Sequence, residues 1–161
     1  MTPEEFDAFY LASFSRVVAQ IHAMCGNFAE AQDCTQEAFV RAWDRRSQLD
    51  AAGSPEAWVR TVAYRLAVSR WRKARGAFRQ LDRAVEDRQV AQPSPDRLAL
   101  DWALAQLPEE QRRVIVLHHL CDTGVNDIAE ETGVPTGTVK ARLSRGRATL
   151  ARLLADTDQA D

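Results

Sequence analysis

Between Val125 and Leu150 the chain reads VNDIAEETGVPTGTVKARLSRGRATL. The chemistry on offer there is that of cations and hydroxyls. Thr138, Lys140, Arg142, Ser144, Arg145 and Arg147 follow one another, with no acidic residue from Val134 to Leu154. Lysine and arginine neutralise phosphates, and arginine, serine and threonine also reach base edges, so the set suits DNA. The competing explanation is an ordinary amphipathic helix with a solvated face, but such faces usually interleave acids with the bases. Val139, Leu143, Leu150 and Leu154 recur at helical spacing, and they predict a side turned to a core. Thr136 is the expected N-cap of this helix. Ile128 and Ala129 belong to a short preceding helix, with Ala129 small enough for a close crossing. Gly133 falls where a tight turn needs positive φ, and Val134 plugs that turn. The pattern is a helix-turn-helix with a cationic second helix.

A second cationic cluster comprises Arg60, Arg65, Arg70, Arg72, Lys73, Arg75, Arg79 and Arg83, with Asp82 the sole acid between positions 58 and 83. Cations gathered toward a helix C-terminus suit its dipole, which is one explanation. Trp71 among the arginines supports another, because aromatic rings in a basic setting stack on unpaired bases. Asp33, Gln36, Glu37, Val40, Arg41 and Asp44 recur at i, i+3, i+4, i+7, i+8 and i+11. By composition alone, that stripe is the wet side of an amphipathic helix. The net charge of −2 therefore hides a strong segregation. Two cationic surfaces predict two contacts with one polyanion, while the acidic parts face something else.

Other chemistry is missing from the sequence. No P-loop and no GxGxxG cradle occurs, and no nucleophile has an obvious base. His22 and Cys25 share a helix at i, i+3 with Cys34 nearby, but a zinc site needs a fourth ligand and better spacing. His118 and His119 point to different faces of one helix and suit packing and surface. The reading is a binding protein, not an enzyme, with no catalytic residue, metal or cofactor. No apolar run approaches the roughly 20 residues of a membrane span, and MTPEEFDAFY lacks the features of a secretory signal. Three cysteines without a CxxC pair fit a reducing cytoplasm.

The positioning elements are all helical. Thr2-Pro3-Glu4-Glu5 predicts a capped helix start, followed by the stripe Phe6, Phe9, Tyr10, Ser13, Val17, Ile21 and Met24, with Gly26 as the stop. A second helix is expected from about Ala29 to Arg45, burying Ala31, Cys34, Ala38, Phe39 and Ala42. Leu49 to Ser54 is expected to be a loop. Ser54-Pro55-Glu56 repeats the cap-and-proline start for a helix with Trp58, Val59, Val62, Ala63, Leu66 and Ala67 on its apolar face. Residues 76–95 are polar, end in Gln92-Pro93-Ser94-Pro95, and predict a flexible linker with a helical turn around Leu81 to Val85. Leu98, Trp102, Ala105 and Leu107 mark the next helix, and Pro108-Glu109-Glu110 starts another carrying Val114, Leu117, His118 and Cys121. Asp122-Thr123-Gly124 turns into the helix-turn-helix, and the acidic tail after Ala155 is expected to fray. The fold class is all-α: two small helical domains, 1–75 and 96–155, joined by a linker at 76–95, with an acidic tail at 156–161.

Three stretches in this order resemble the extracytoplasmic-function (ECF) sigma factors, the two-domain initiation factors of bacterial RNA polymerase. AEAQDCTQEAFVRAW (Ala29 to Trp43) is similar to the family's polymerase-docking helix, and SPEAWVRTVAYRLAVSRWRKAR (Ser54 to Arg75) to its −10 recognition helix. LPEEQRRVIVLHHL with the helix-turn-helix core GTVKARLSRGR is similar to its −35 reader. The opening TPEEFDAFY is similar to a group common in actinobacteria.

The resemblance implies that Asp33, Gln36, Glu37, Arg41 and Asp44 meet the clamp of the polymerase's largest subunit. It implies that the loop ending at Ser54 captures a flipped −10 base, and that Arg65, Ser69, Arg70, Trp71, Arg72 and Lys73 contact −10 DNA. Thr136, Thr138, Lys140, Arg142, Ser144, Arg145 and Arg147 would meet the −35 major groove, and an anti-sigma factor would cover these surfaces. The family often carries Asn at the place of Arg65 and Asp at that of Ser69, a change that alters the −10 preference more than binding itself. The alternative is a stand-alone helix-turn-helix regulator. It would need a dimerisation helix, which the short tail after Leu154 does not offer.

Overall fold

The computed structural model describes residues 1–77 and 94–159, and every regular element among them is helical. The chain divides into two compact units, Met1–Gln89 and Val90–Asp161. The expected turn around Leu81 to Val85 lies outside the described residues.

In the first unit α1 (Pro3–Cys25), α2 (Phe28–Asp44) and α4 (Pro55–Ala77) pack against one another. The short α3 (Arg46–Leu49) and a 3-10 turn (Asp50–Ala52) join α2 to α4. The reciprocal cap forms as expected: Thr2 Oγ1 accepts from Glu5 N–H at 3.2 Å, and Glu5 Oε2 accepts from Thr2 N–H at 2.8 Å. Gly26 ends α1 in the left-handed region with φ 76°, which a side chain would strain. The second helix starts at Phe28, one residue before the expected Ala29, because Asn27 caps it through a bond from Glu30 N–H (2.9 Å).

Val17, Ile21, Ala31, Cys34, Ala38, Ala42, Val59 and Ala63 fill the core with essentially no exposed surface. Alanines on α2 let α1 and α4 approach closely. At one end Phe6, Phe9, Tyr10, Phe14, Phe39 and Trp43 form a chain of tilted and edge-to-face rings, a geometry favoured by ring quadrupoles. Two expectations are corrected. Leu49 to Ser54 is not wholly a loop: Leu49 is buried and ends α3, and Asp50–Ala52 form the 3-10 turn, leaving Gly53 and Ser54 as the connection to α4. Arg60, counted in the cationic cluster, is buried beside α1 with Nη1 3.4 Å from Gln20 Oε1, so it adds nothing to the outer charge.

The second unit contains α5 (Pro95–Gln106), α6 (Glu109–Ile115) continued by a π-helical turn (Val116–Leu120), α7 (Val125–Thr132) and α8 (Thr136–Gln159). Ser94 caps α5 through a bond from Arg97 N–H. Ala103, Leu104 and Leu107 bury the inner side of α5, while Leu98, Trp102 and Ala105 stay exposed. The helix is where the sequence puts it, with Ala103 and Leu104 setting its inward face. Arg112 donates from Nε to Leu104 O (2.9 Å) and from Nη2 to Leu107 O (2.8 Å). Those bonds satisfy the open carbonyls at the end of α5 and tie it to α6.

His118 Nδ1 lies 2.9 Å from Thr123 O. A carbonyl can only accept, so Nδ1 carries the proton, and the ring braces the turn leading into α7. Gly133 adopts φ 73°, and Ala129 O accepts from both Gly133 N–H and Val134 N–H. The helix-turn-helix forms as read. Its second helix differs in detail: Pro135 O accepts from Thr138 N–H and Val139 N–H, which makes Thr136 the first helical residue rather than the N-cap. Val139 and Leu143 are buried, whereas Leu150 and Leu154 are half-buried. The helix also continues through the acidic tail to Gln159, where a frayed end was expected.

One close approach in this unit is not singled out by the sequence pattern. Gly146 on α8 is buried, and a Cβ at that position would lie 2.8 Å from Ile115 Cγ1 on α6.

Candidate polymerase and nucleic-acid interfaces

The stripe on α2 is exposed at Asp33, Gln36, Val40, Arg41 and Asp44, as an outward row two turns and more in length. Glu37 differs: it is half-buried and committed to two cations. Arg41 Nη2 donates to its Oε1 and Arg70 Nη2 to its Oε2, both at 2.6 Å. Arg70 also places Nη1 3.4 Å from Glu30 Oε1. The polar row of α2 and the cationic end of α4 are thus joined by one set of ion pairs. Glu30 is the partner that sequence reasoning missed. A usable signal existed, because Glu30 and Glu37 flank the buried Cys34 by one turn on either side, which puts both at the edge of the packed face.

On α4 the residues Arg65, Ser69, Arg72 and Lys73 are exposed, and Trp71 retains 50% of its surface. Arg65, Ser69 and Arg72 are separated by four and three residues and share a face. Ser54 Oγ accepts from Ala57 N–H (3.2 Å) and Ser54 O from Trp58 N–H (3.1 Å). Its hydroxyl caps α4 and keeps its own proton for another acceptor. The arrangement offers cations, a hydroxyl and an aromatic plane on one helix, which is what an extruded base and its phosphates require.

Cys34 lies beneath this seam with Sγ 3.5 Å from Glu30 Oε1. Burial, opposed by Arg70 and reinforced by Glu30, pushes its thiol up to about 12. A thiol with so high a pKa is neutral and a poor nucleophile at physiological pH. Cys34 should therefore resist iodoacetamide at pH 8 in the folded chain, while the half-buried Cys25 and Cys121 react. Mass-spectrometric mapping of the alkylated sites checks this, and rapid modification of Cys34 would contradict its burial. Among the described residues, no group of three or more His, Cys, Asp or Glu side chains is placed to hold a metal ion.

On α8, Thr136, Lys140, Ser144, Arg145 and Arg147 are exposed, and Thr138 and Arg142 half-buried. Arg142 sits in a cleft of about 390 Å³ between α6 and α8, with Pro108, Gln111, Thr138 and Arg145 around it. Its Nη2 is 3.6 Å from Glu110 Oε2, an ion pair too long for a hydrogen bond. Gln111 Oε1 is buried without a hydrogen-bond partner. Arg147 Nε donates to His119 Nε2 (3.1 Å). Burial, then the neighbouring Arg147 and His118, hold His119 below the usual imidazole range, so it stays neutral and able to accept. Lys140 and Arg145 thus carry outward charge on this helix, as do Arg147 and Arg152, while Arg142 is partly neutralised.

Comparison with known proteins agrees with this division. A family model described as Sigma-70 region 2 matches residues 9–77, and one described as Sigma-70, region 4 matches residues 97–150. The chain is 30% identical to the ECF RNA polymerase sigma factor SigW of Bacillus subtilis, over 84% of this chain and 81% of that protein. It is 33% identical to the ECF RNA polymerase sigma factor SigL of Mycobacterium tuberculosis, over 74% of this chain and 72% of that protein. Among solved structures, it resembles the sigma factor RpoE from Bartonella quintana, crystallised with the anti-sigma factor NepR. That match has a TM-score of 0.82 and 24% identity, covering 94% of this chain and 98% of that one. CnrH, solved with the cytosolic domain of CnrY, matches with a TM-score of 0.72 at 19% identity, over 96% and 90%. Among the described residues no helix is long and apolar enough to cross a membrane.

Proposed function

Because the chain belongs to the ECF RNA polymerase sigma factors, we propose that it directs core polymerase to its promoters through three surfaces that can be assigned residue by residue. The exposed row Asp33, Gln36, Arg41 and Asp44, with Glu37 at its inner edge, docks on the clamp of the largest subunit. Ser54, Arg65, Ser69, Arg70, Trp71, Arg72 and Lys73 engage the −10 element and its opened strand, with Trp71 as the stacking plane. Thr136, Thr138, Lys140, Arg142, Ser144, Arg145 and Arg147 engage the −35 element, some at phosphates and some at base edges.

Residues 1–75 act as the docking and −10 domain, and residues 96–155 as the −35 domain. Neither small unit needs to hold DNA tightly alone, since attachment to polymerase supplies a high effective concentration at the promoter. RNA synthesis stays with the polymerase; the chain itself is not an enzyme, acts in the cytoplasm, and uses no cofactor. The sigma factor RpoE, which has a similar fold, was crystallised with an anti-sigma factor, and a partner of that kind would compete for the same surfaces.

The observation that carries the reading over a stand-alone regulator is the α2 row. It is outward-facing, polar and interrupted by the exposed Val40, a composition suited to a protein partner and of no use to a DNA-only binder. Co-elution of the purified chain with core polymerase tests it. Asp33→Lys is the informative variant, because Asp33 is exposed, whereas reversing Glu37 would also strip Arg41 and Arg70 of their partner. The wild-type chain should co-elute and Asp33→Lys should bind about tenfold more weakly, on the scale of one interfacial charge reversal. Equal binding of the two would remove the docking assignment.

A further inference from the structure

We propose that Glu30 and Glu37 sequester Arg70 in the free chain, and that a partner engaging Glu37 releases it, so that docking on α2 and strand capture by α4 are coupled through one guanidinium. This rests on the assignment of Glu37 to the docking surface and goes beyond it by giving Glu37 a second task.

The geometry engages both oxygens of Glu37 and both terminal nitrogens of Arg70 at the junction. Glu37 uses Oε1 for Arg41 and Oε2 for Arg70, and Arg70 uses Nη2 for Glu37 and Nη1 for Glu30. Glu30 Oε1 is itself steadied by the Cys34 thiol. A phosphate taking the Nη1–Nη2 edge of Arg70 therefore competes with two carboxylates for it, and a docking cation competes with two arginines for Glu37. Linkage makes the two events favour each other: whatever takes Glu37 lowers the cost of freeing Arg70, and the reverse.

Exposure decides whether such a contact can open. The Arg70 side chain keeps 38% of its surface, and Glu30 and Glu37 keep 36% each. Ion pairs this accessible are weak individually, and two of them together shift an equilibrium by roughly three- to tenfold. That is enough to bias the free chain against unproductive DNA binding and small enough for a polymerase interface to override. A fully buried pair would act as a permanent strut.

The test uses the full chain, a fluorescein-labelled oligothymidylate strand read by anisotropy, and a double-mutant cycle. The combined Glu30→Gln and Glu37→Gln variant should bind the strand about three- to tenfold more tightly than wild type. In an Arg70→Ala background the same two substitutions should change binding by less than about twofold. An equal gain in both backgrounds would show only the loss of negative charge, and no gain in either would show that Arg70 is not held back; both overturn the proposal. Affinity for core polymerase separates this from the docking assignment. If the assignment holds, Glu37→Gln weakens that affinity, and Arg70→Ala, by freeing Glu37, strengthens it. Unchanged polymerase binding by Glu37→Gln would reject Glu37 as a docking residue and with it the coupling, whatever the strand cycle shows.

Discussion

Replacing Lys140 and Arg145 together with alanine is expected to weaken promoter binding by the polymerase complex about 100-fold, at the level of one phosphate or base contact per residue. Both side chains are exposed on α8, and they stand more than a helical turn apart, so their losses should add. Two phosphate contacts removed would also lower the salt dependence of binding by about two counterions. The measurement is a filter-binding or anisotropy titration at several salt concentrations. The DNA would be a promoter fragment selected by the wild-type complex from a random pool. Arg142→Ala should cost less than either, because Glu110 already offsets its charge and it is recessed in the α6–α8 cleft. An unaltered affinity and slope in the double variant would remove α8 as the DNA-reading helix.

Gly146→Ala is expected to destabilise the second unit by up to about 2 kcal/mol, although alanine is the better helix former. Two effects oppose each other. Glycine in a helix interior costs about 1 kcal/mol relative to alanine, which favours the substitution. Against it, the new Cβ would sit 2.8 Å from Ile115 Cγ1 and 3.1 Å from Cδ1. Ile115 is itself buried, and overpacking of this kind costs typically about 1–3 kcal/mol. The clash is expected to win. Gly146→Leu should be worse still. Gly137 is the matched control, because no atom lies within 4 Å of a Cβ placed there, and Gly137→Ala should be neutral or slightly stabilising. Urea unfolding followed by tryptophan fluorescence would show the difference. Trp102 reports the second unit, and the first unit's tryptophans should keep their midpoint. A Gly146→Ala variant as stable as wild type would mean that α6 and α8 separate at no cost.

Helix starts, stops and the helix-turn-helix were legible in the sequence because they are set by local chemistry. Thr2 and Glu5 close a cap over three residues, Ser54 does the same for α4, and Gly26 and Gly133 are placed where only a residue without Cβ turns left-handed cheaply. The charge segregation that marks the two cationic surfaces is likewise a property of composition along the chain. Tertiary structure decided which charges remain outward. Arg60 reads like its neighbours yet is buried against α1, because its helical phase falls on the core side. Arg70 reads as an outward cation like its neighbours, and the folded chain pairs it with Glu30 and Glu37, residues 40 and 33 positions away. Leu98 and Trp102 mark α5 in the sequence and are exposed, while Ala103, Leu104 and Leu107 are buried and Arg112 ties the helix by its terminal carbonyls. Gly146 reads as a weak point in a helix and is the place where two helices touch. Local propensities and caps act over a few residues and can be read along the chain. Ion pairing, helix phase and close crossings depend on what another segment brings to the same point, and only the folded chain determines that.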